Sequence, residues 1–271
     1  MDEAPAVIPQ DLSEDRFLAY YAEASLSQDT WGRSRRIHSL MMRALQRLGL
    51  PASELAVGDV GCGAGTQSRV WSEAGHRVSG VDIDEGLISL ARERLRESPS
   101  KVPIEFAVGS ADALPFGDAS LDICLMPELL EHVVDWQACL DECARVLKPG
   151  GLLFLSTTNA LCPRQQEFKL PLYSWYPAAV KRRCERLAVS SRPQWVNHAQ
   201  YPAVNWFTFY GLRRELTARG FAQCFDRFDN MGTEHLGAMA RAGVRVARRF
   251  RAVRLLGHVV TPYTQIVAIK G

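Results

Sequence analysis

The chain has 271 residues, enough for one α/β domain with insertions, and its 47% hydrophobic content suits an ordinary buried core. Its 32 lysines and arginines stand against 30 aspartates and glutamates, a formal charge of +2. That balance argues against a dedicated nucleic-acid binder. The seven cysteines are odd in number, scattered and without a C-x-x-C pair, which excludes a zinc ribbon or disulfide framework and fits a reducing, cytoplasmic setting.

The opening stretch, MDEAPAVIPQDLSEDR, is acidic and proline-bearing, the reverse of a secretory or transit peptide. No apolar run is long enough to cross a bilayer. Residues 1–50 are expected to form a helical cap over a sheet edge, including a helix from Trp31 to Leu48. Residues 51–159 alternate short apolar runs with helical patterns. The expected strands are Glu54 to Val60, His76 to Val81, Val102 to Val108, Leu121 to Met126 and Gly151 to Ser156. Between them, Asp84 to Glu97 carries an apolar face of Leu87, Leu90, Ala91 and Leu95 behind Asp84 as N-cap. A second helix, Trp136 to Leu147, is expected to stop at Lys148-Pro149-Gly150-Gly151. Residues 160–208 break the pattern with prolines, aromatics and KRRCER, and are expected to be an insertion capping the site. Tyr173, Trp175, Trp195 and Trp206 are its candidate acceptor-pocket residues. Residues 209–271 resume the core, with a helix from Tyr210, a strand from Phe221, a basic helix near 236–256 and a last strand to Lys270. The whole predicts a doubly wound, mostly parallel, Rossmann-like sheet of seven strands.

The first strand runs into Gly58-Asp59-Val60-Gly61-Cys62-Gly63-Ala64-Gly65-Thr66. A dinucleotide fingerprint starting at Gly61 needs glycine where this chain has Thr66, so a pyrophosphate fits poorly. The second strand ends in Gly80-Val81-Asp82, a carboxylate placed to accept ribose hydroxyls. After the third comes Gly109-Ser110-Ala111-Asp112, where Asp112 can accept from an adenine amino group. Together, D-V-G-C-G-A-G-T, G-V-D, S-A-D-A-L-P-F and L-K-P-G-G resemble the class I S-adenosylmethionine-dependent methyltransferases, closely over roughly residues 55–157. The resemblance implies that Asp59, Gly61 and Gly63 serve the methionine end, Asp82 and Ile83 the ribose, Ala111 and Asp112 the adenine, and the backbone at Met126 and Pro127 the amino group.

The fourth strand is followed by Met126-Pro127-Glu128-Leu129-Leu130-Glu131-His132-Val133, without the N-P-P-Y motif of amino-directed DNA methyltransferases. If this segment is helical, Glu128, Glu131 and His132 share one face. They form a candidate site for magnesium, manganese or zinc, and Glu131 and His132 are the candidate acid/base pair. The pattern E-x-x-E-H resembles the ubiquinone-biosynthesis O-methyltransferases and the small-RNA 3′-terminal 2′-O-methyltransferases, and the resemblance implies a further histidine after the fifth strand, matched by His198 of the insertion, as a fourth ligand. Arg35-Arg36-Ile37-His38 is similar to the quinone family's R-I-N-P, which implies that Arg36 reaches the cofactor. The insertion shares little with that family.

The expected function is methyl transfer to a hydroxyl oxygen of a small or lipid-linked phenol, catechol or quinol-like molecule. The alternatives are an RNA 2′-O-methyltransferase, against which the near-neutral charge speaks, and a non-catalytic cofactor-binding partner subunit. The basic helix, with Met239, Val246, Phe250 and Val253 at helical spacing, is a candidate for peripheral membrane contact.

Overall fold

The structure is a computed structural model describing residues 15–165, 167–195, 203–233 and 236–271. Two helices, α1 (Asp15–Leu26) and α2 (Gln28–Leu48), precede the sheet. Ser27 caps α2 by accepting the Thr30 N–H, and Gly49 ends it in the left-handed conformation. Then follow β1 (Ala56–Val60), α3 (Thr66–Glu73), β2 (Arg77–Asp82), α4 (Glu85–Glu97), β3 (Ile104–Val108), β4 (Leu121–Pro127), α5 (Trp136–Val146) and β5 (Leu147–Thr158). As expected, Asp84 caps α4: its Oδ1 accepts the Leu87 N–H at 2.9 Å. The inserted segment carries α6 (Ala178–Ser190), and the chain closes with α7 (Phe209–Ala218), β6 (Phe221–Asp226), α8 (Arg227–Asn230), α9 (Ala238–Arg249), α10 (Arg251–Val259) and β7 (Tyr263–Lys270).

The sheet order is β3-β2-β1-β4-β5-β7-β6. β1 to β5 are parallel, and β7 runs antiparallel to both β5 and β6. Both sheet faces are covered, as the nearly unbroken apolar strands require. Alternation along β4 divides the core: Ile123 and Leu125 join α2, α3 and α4 residues such as Met41, Trp71 and Ile88, while Cys124 and Met126 pack with Leu140, Leu212 and Leu216 on the other face.

Two boundaries differ from expectation. Lys148-Pro149-Gly150 lies inside β5 rather than before it, because Leu121 pairs with Leu147 and Ile123 with Leu152, so the residues between bulge out. Gly150 takes a left-handed φ of 80° there. The basic helix is two helices, broken at Phe250, whose extended backbone ends α9 and starts α10.

Candidate active site

The glycine loop folds under the tip of β2. The N–H groups of Gly61 and Cys62 both donate to the Val81 carbonyl, at 2.8 and 3.1 Å. Gly61, Gly63 and Gly65 all have positive φ, which explains glycine at three alternate positions. Gly65 and Gly80 also admit the Phe106 ring, which a Cβ at either position would meet at 2.7 Å. A Cβ on Gly63 would meet nothing within 4 Å, so the loop's middle faces open space.

Asp82 closes this cradle. Its Oδ2 accepts the Gly63 N–H at 2.8 Å and its Oδ1 the Asp84 N–H at 3.0 Å. Each oxygen keeps further acceptor capacity for a hydroxyl. Burial raises the Asp82 carboxyl above its usual value, against the pull of those backbone donors. Asp59 lies entirely beneath the loop, where Oδ2 accepts the Ser68 hydroxyl at 2.6 Å. Its Oδ1 is buried without a partner among the described residues, and burial pushes the carboxyl up to about 6. Ile83 is exposed beside Asp82, Ala111 is half-buried, and Asp112 is exposed after β3. An under-satisfied acid, an open glycine loop and a doubly anchored strand-tip carboxylate fit a ligand with an ammonium and a ribose diol.

The segment after β4 is a turn, not the expected helix. Glu128 continues the ladder by donating its N–H to the Ser156 carbonyl at 2.8 Å, then turns the chain with φ of 54°. A left-handed residue cannot lie within an α-helix. The next helix starts only at Trp136, capped by Asp135. Glu128, Glu131 and His132 therefore do not share a helical face. Glu128 instead pairs with Arg33 of α2. Glu131 is buried, accepting the Thr157 hydroxyl at 2.7 Å, and desolvation, with Glu167 and Glu128 adding, raises its carboxyl to about 8. His132 is half-buried in the turn, its N–H donating to Leu129 at 2.9 Å. Among the described residues no cluster of three or more acids, histidines or cysteines is arranged to hold a metal, and His198 lies outside them. Glu128, Glu131 and His132, the described members of the expected ligand set, thus form no metal-holding group.

The turn stands over the glycine loop, since a Cβ on Gly61 would meet the Leu129 side chain at 3.2 Å. The returning end of the insertion straps it down. Val204 and Asn205 donate their N–H groups to the Glu131 carbonyl at 2.8 and 3.1 Å. The Asn205 side chain donates to the carbonyls of Leu130 and Val133 at 3.0 and 2.6 Å.

Three residues at this edge escaped the sequence reading. Arg33 meets the turn, while Arg36, expected to reach the cofactor, lies exposed one helical turn further along α2. Glu167 enters from the insertion, its carboxyl raised by burial and by the charge of Glu128. Asn205 is the strap. None belongs to a local motif, although Arg33 and Arg36 share a helix face at i, i+3. The aromatics expected to line an acceptor pocket largely build the insertion's own small core. Tyr173 stacks on Phe168 with ring centroids 4.0 Å apart and meets Trp206 at 5.4 Å, Trp195 packs against the same group, and Trp175 is exposed.

Residues 58–155 match the family described as "Methyltransferase domain". A ubiquinone biosynthesis O-methyltransferase of Coxiella burnetii is 33% identical over 156 residues, 56% of this chain and 63% of that protein. A malonyl-[acyl-carrier protein] O-methyltransferase of Serratia marcescens is 35% identical over 102 residues, 38% of each chain. The chain thus spans between 38% and 63% of the length of these curated relatives. The S-adenosyl-L-methionine complex of Haemonchus contortus phosphoethanolamine N-methyltransferase 2 superposes with a TM-score of 0.59 at 17% identity, covering 100% of this chain and 60% of that one, a likeness of fold. Over residues 58–155 the chain thus resembles a class I S-adenosylmethionine-dependent methyltransferase domain. Its sequence resembles the ubiquinone-biosynthesis O-methyltransferases.

Proposed function

We propose that this protein methylates a hydroxyl oxygen of a small or lipid-linked phenol, catechol or quinol-like molecule. The observation that carries the reading is the turn bearing Glu131 and His132, seated directly over the glycine loop through Leu129 and Gly61. An oxygen acceptor also agrees with the names of the relatives, a ubiquinone biosynthesis O-methyltransferase and a malonyl-[acyl-carrier protein] O-methyltransferase.

When bound, S-adenosylmethionine supplies a methyl group already activated by a sulfonium, so the chain needs no covalent intermediate. Asp82 accepts from the ribose hydroxyls, with Ile83 against that end, and Ala111 and Asp112 meet the adenine. Gly61 and Gly63 allow close approach of the methionine part, Asp59 supports the loop beneath it, and the backbone at Met126 and Pro127 meets its amino group. The chain's remaining work is alignment and exclusion of water. His132 takes the proton of the acceptor's hydroxyl, leaving its oxygen as the nucleophile. Glu131 is the positioning residue: its side chain ties the turn to β5 through Thr157, and its carbonyl ties it to Val204 and Asn205.

The test is to incubate the protein with methyl-labelled S-adenosylmethionine and a panel of catechols, quinols, malonyl thioesters and RNA, alongside a host extract. Label on a phenolic oxygen, lost in His132→Ala with cofactor affinity retained, is expected. Label on nitrogen or carbon, or only on RNA, would overturn the reading.

A further inference from the structure

Helix α10 is built inside out. Arg254 and His258 point into the protein: Arg254 meets Asp229 at 2.7 Å and Asp226 at 3.6 Å, and His258 Nε2 lies 2.9 Å from Asp226 Oδ2. The His258 ring is buried and stacked on Phe209 at 5.3 Å. The opposite face carries Val253, Leu255, Leu256 and Val260, all exposed, with Leu256 at 64% and Val260 at 75%. Helix α9 continues the pattern. Only Val244 and Ala247 of its side chains are buried, while Met239 (89% exposed), Val246 and Phe250 form a second outward apolar stripe at helical spacing.

Charge says what covers this face. Residues 236–260 contain six arginines and neither aspartate nor glutamate. Arg254 is used internally, and Arg248 donates to the carbonyls of Phe228 and Met231. Arg241, Arg245, Arg249 and Arg251 are exposed around the apolar side chains. The surface needs a partner that is apolar in the middle and anionic at the rim. A second copy of this chain would present the same arginines with no carboxylate from the segment to meet them, a repulsive pairing. We propose that α9 and α10 form a docking surface for an anionic lipid bilayer, with the leucine, valine and phenylalanine side chains in the acyl boundary and the arginines on lipid phosphates. Among the described residues no helix is long and apolar enough to cross a membrane, so the contact is peripheral.

The surface is tied to the edge of the sheet that carries the candidate site. Asn159, next after β5, donates its side-chain N–H groups to the carbonyls of His258 and Thr261 at 2.8 and 2.7 Å. The inference stands independently of the transfer reaction proposed above.

Vesicle co-sedimentation of the full chain tests it, using phosphatidylcholine alone and phosphatidylcholine mixed with phosphatidylglycerol. Binding to the mixed vesicles, weak on the neutral ones and reduced by salt, is expected. Arg245→Glu and Arg249→Glu should each weaken it about fivefold or more, and Leu256→Ser with Val260→Ser about tenfold or more. Thermal melting of each variant checks the fold, which these exposed positions should leave intact. No binding to mixed vesicles, or binding unchanged in all folded variants, overturns the proposal. So does a dimer in analytical ultracentrifugation that Leu256→Ser abolishes, since that would assign the face to a second copy.

Discussion

The protein buries carboxylates at an edge strand of its sheet and near the sheet's middle, and it treats them in opposite ways. Asp226, at the tip of β6, accepts from the N–H groups of Phe228 and Asp229 at 2.8 and 3.1 Å and faces His258 and Arg254. Burial alone would raise its carboxyl, but the hydrogen bonds and the guanidinium outweigh burial and hold it below the usual range. Asp59 and Glu131, under and beside the glycine loop, each have one side-chain partner and sit at about 6 and about 8. A group fully satisfied by its own chain is structural. A group left short of donors stores a cost that a ligand or a proton can relieve, and such groups gather at sites.

The harshest way to break this contrast is at Asp226. Asp226→Ala strands the buried His258, leaves Arg254 to Asp229 alone and removes the cap of α8, and should cost about 3–5 kcal/mol of stability. Chemical denaturation measures it, and a loss below one kcal/mol would place Asp226 with the under-satisfied group. Next in size, Asp82→Ala should weaken S-adenosylmethionine binding by about 1.5–3 kcal/mol for each charge-assisted hydrogen bond lost. Calorimetry on the folded variant reads this directly, and unchanged affinity would remove Asp82 from the site.

The smallest effect sharpens the comparison through pH. Glu131 rises from 4.5 to about 8 on folding, so its favourable contribution is complete below 4.5 and is lost as pH climbs through 8. Asp226, being depressed, behaves oppositely: its contribution holds above its unfolded value and is lost as pH falls through the folded one. Glu131→Gln should therefore melt higher than the parent above pH 8, with the difference shrinking toward pH 5. Melting curves across that range suffice, and a constant offset would mean that Glu131 is ionised throughout.

The shape of the glycine-loop cradle was legible in the sequence because its geometry is local. Positive φ at Gly61, Gly63 and Gly65, the acid at the tip of β2 and the Asp84 cap each depend on a few neighbours in the chain. The acceptor wall was not legible. The left-handed turn at Glu128 has no residue signature, since glutamate rarely adopts it, and a period-based reading takes E-x-x-E-H for a helix. Arg33, Glu167 and Asn205 arrive from distant segments. The aromatics of the insertion looked like pocket residues by type, yet a segment that leaves the main sheet must bury something of its own, and Phe168, Tyr173 and Trp206 do so. The amphipathic period of residues 236–256 was visible, but which face turns inward depends on Asp226 and Asp229.

The Asn205 strap also sets an order of events during synthesis. The cradle's bond from Gly63 to Asp82 spans 19 residues, whereas the strap reaches back 75 residues to Leu130 and 72 to Val133. With elongation at about 5–20 residues per second, the turn bearing His132 waits on the order of 4–15 seconds after emergence for the residue that fastens it. Nascent chains of this protein thus acquire the elements of the glycine-loop cradle before they acquire a fixed turn after β4.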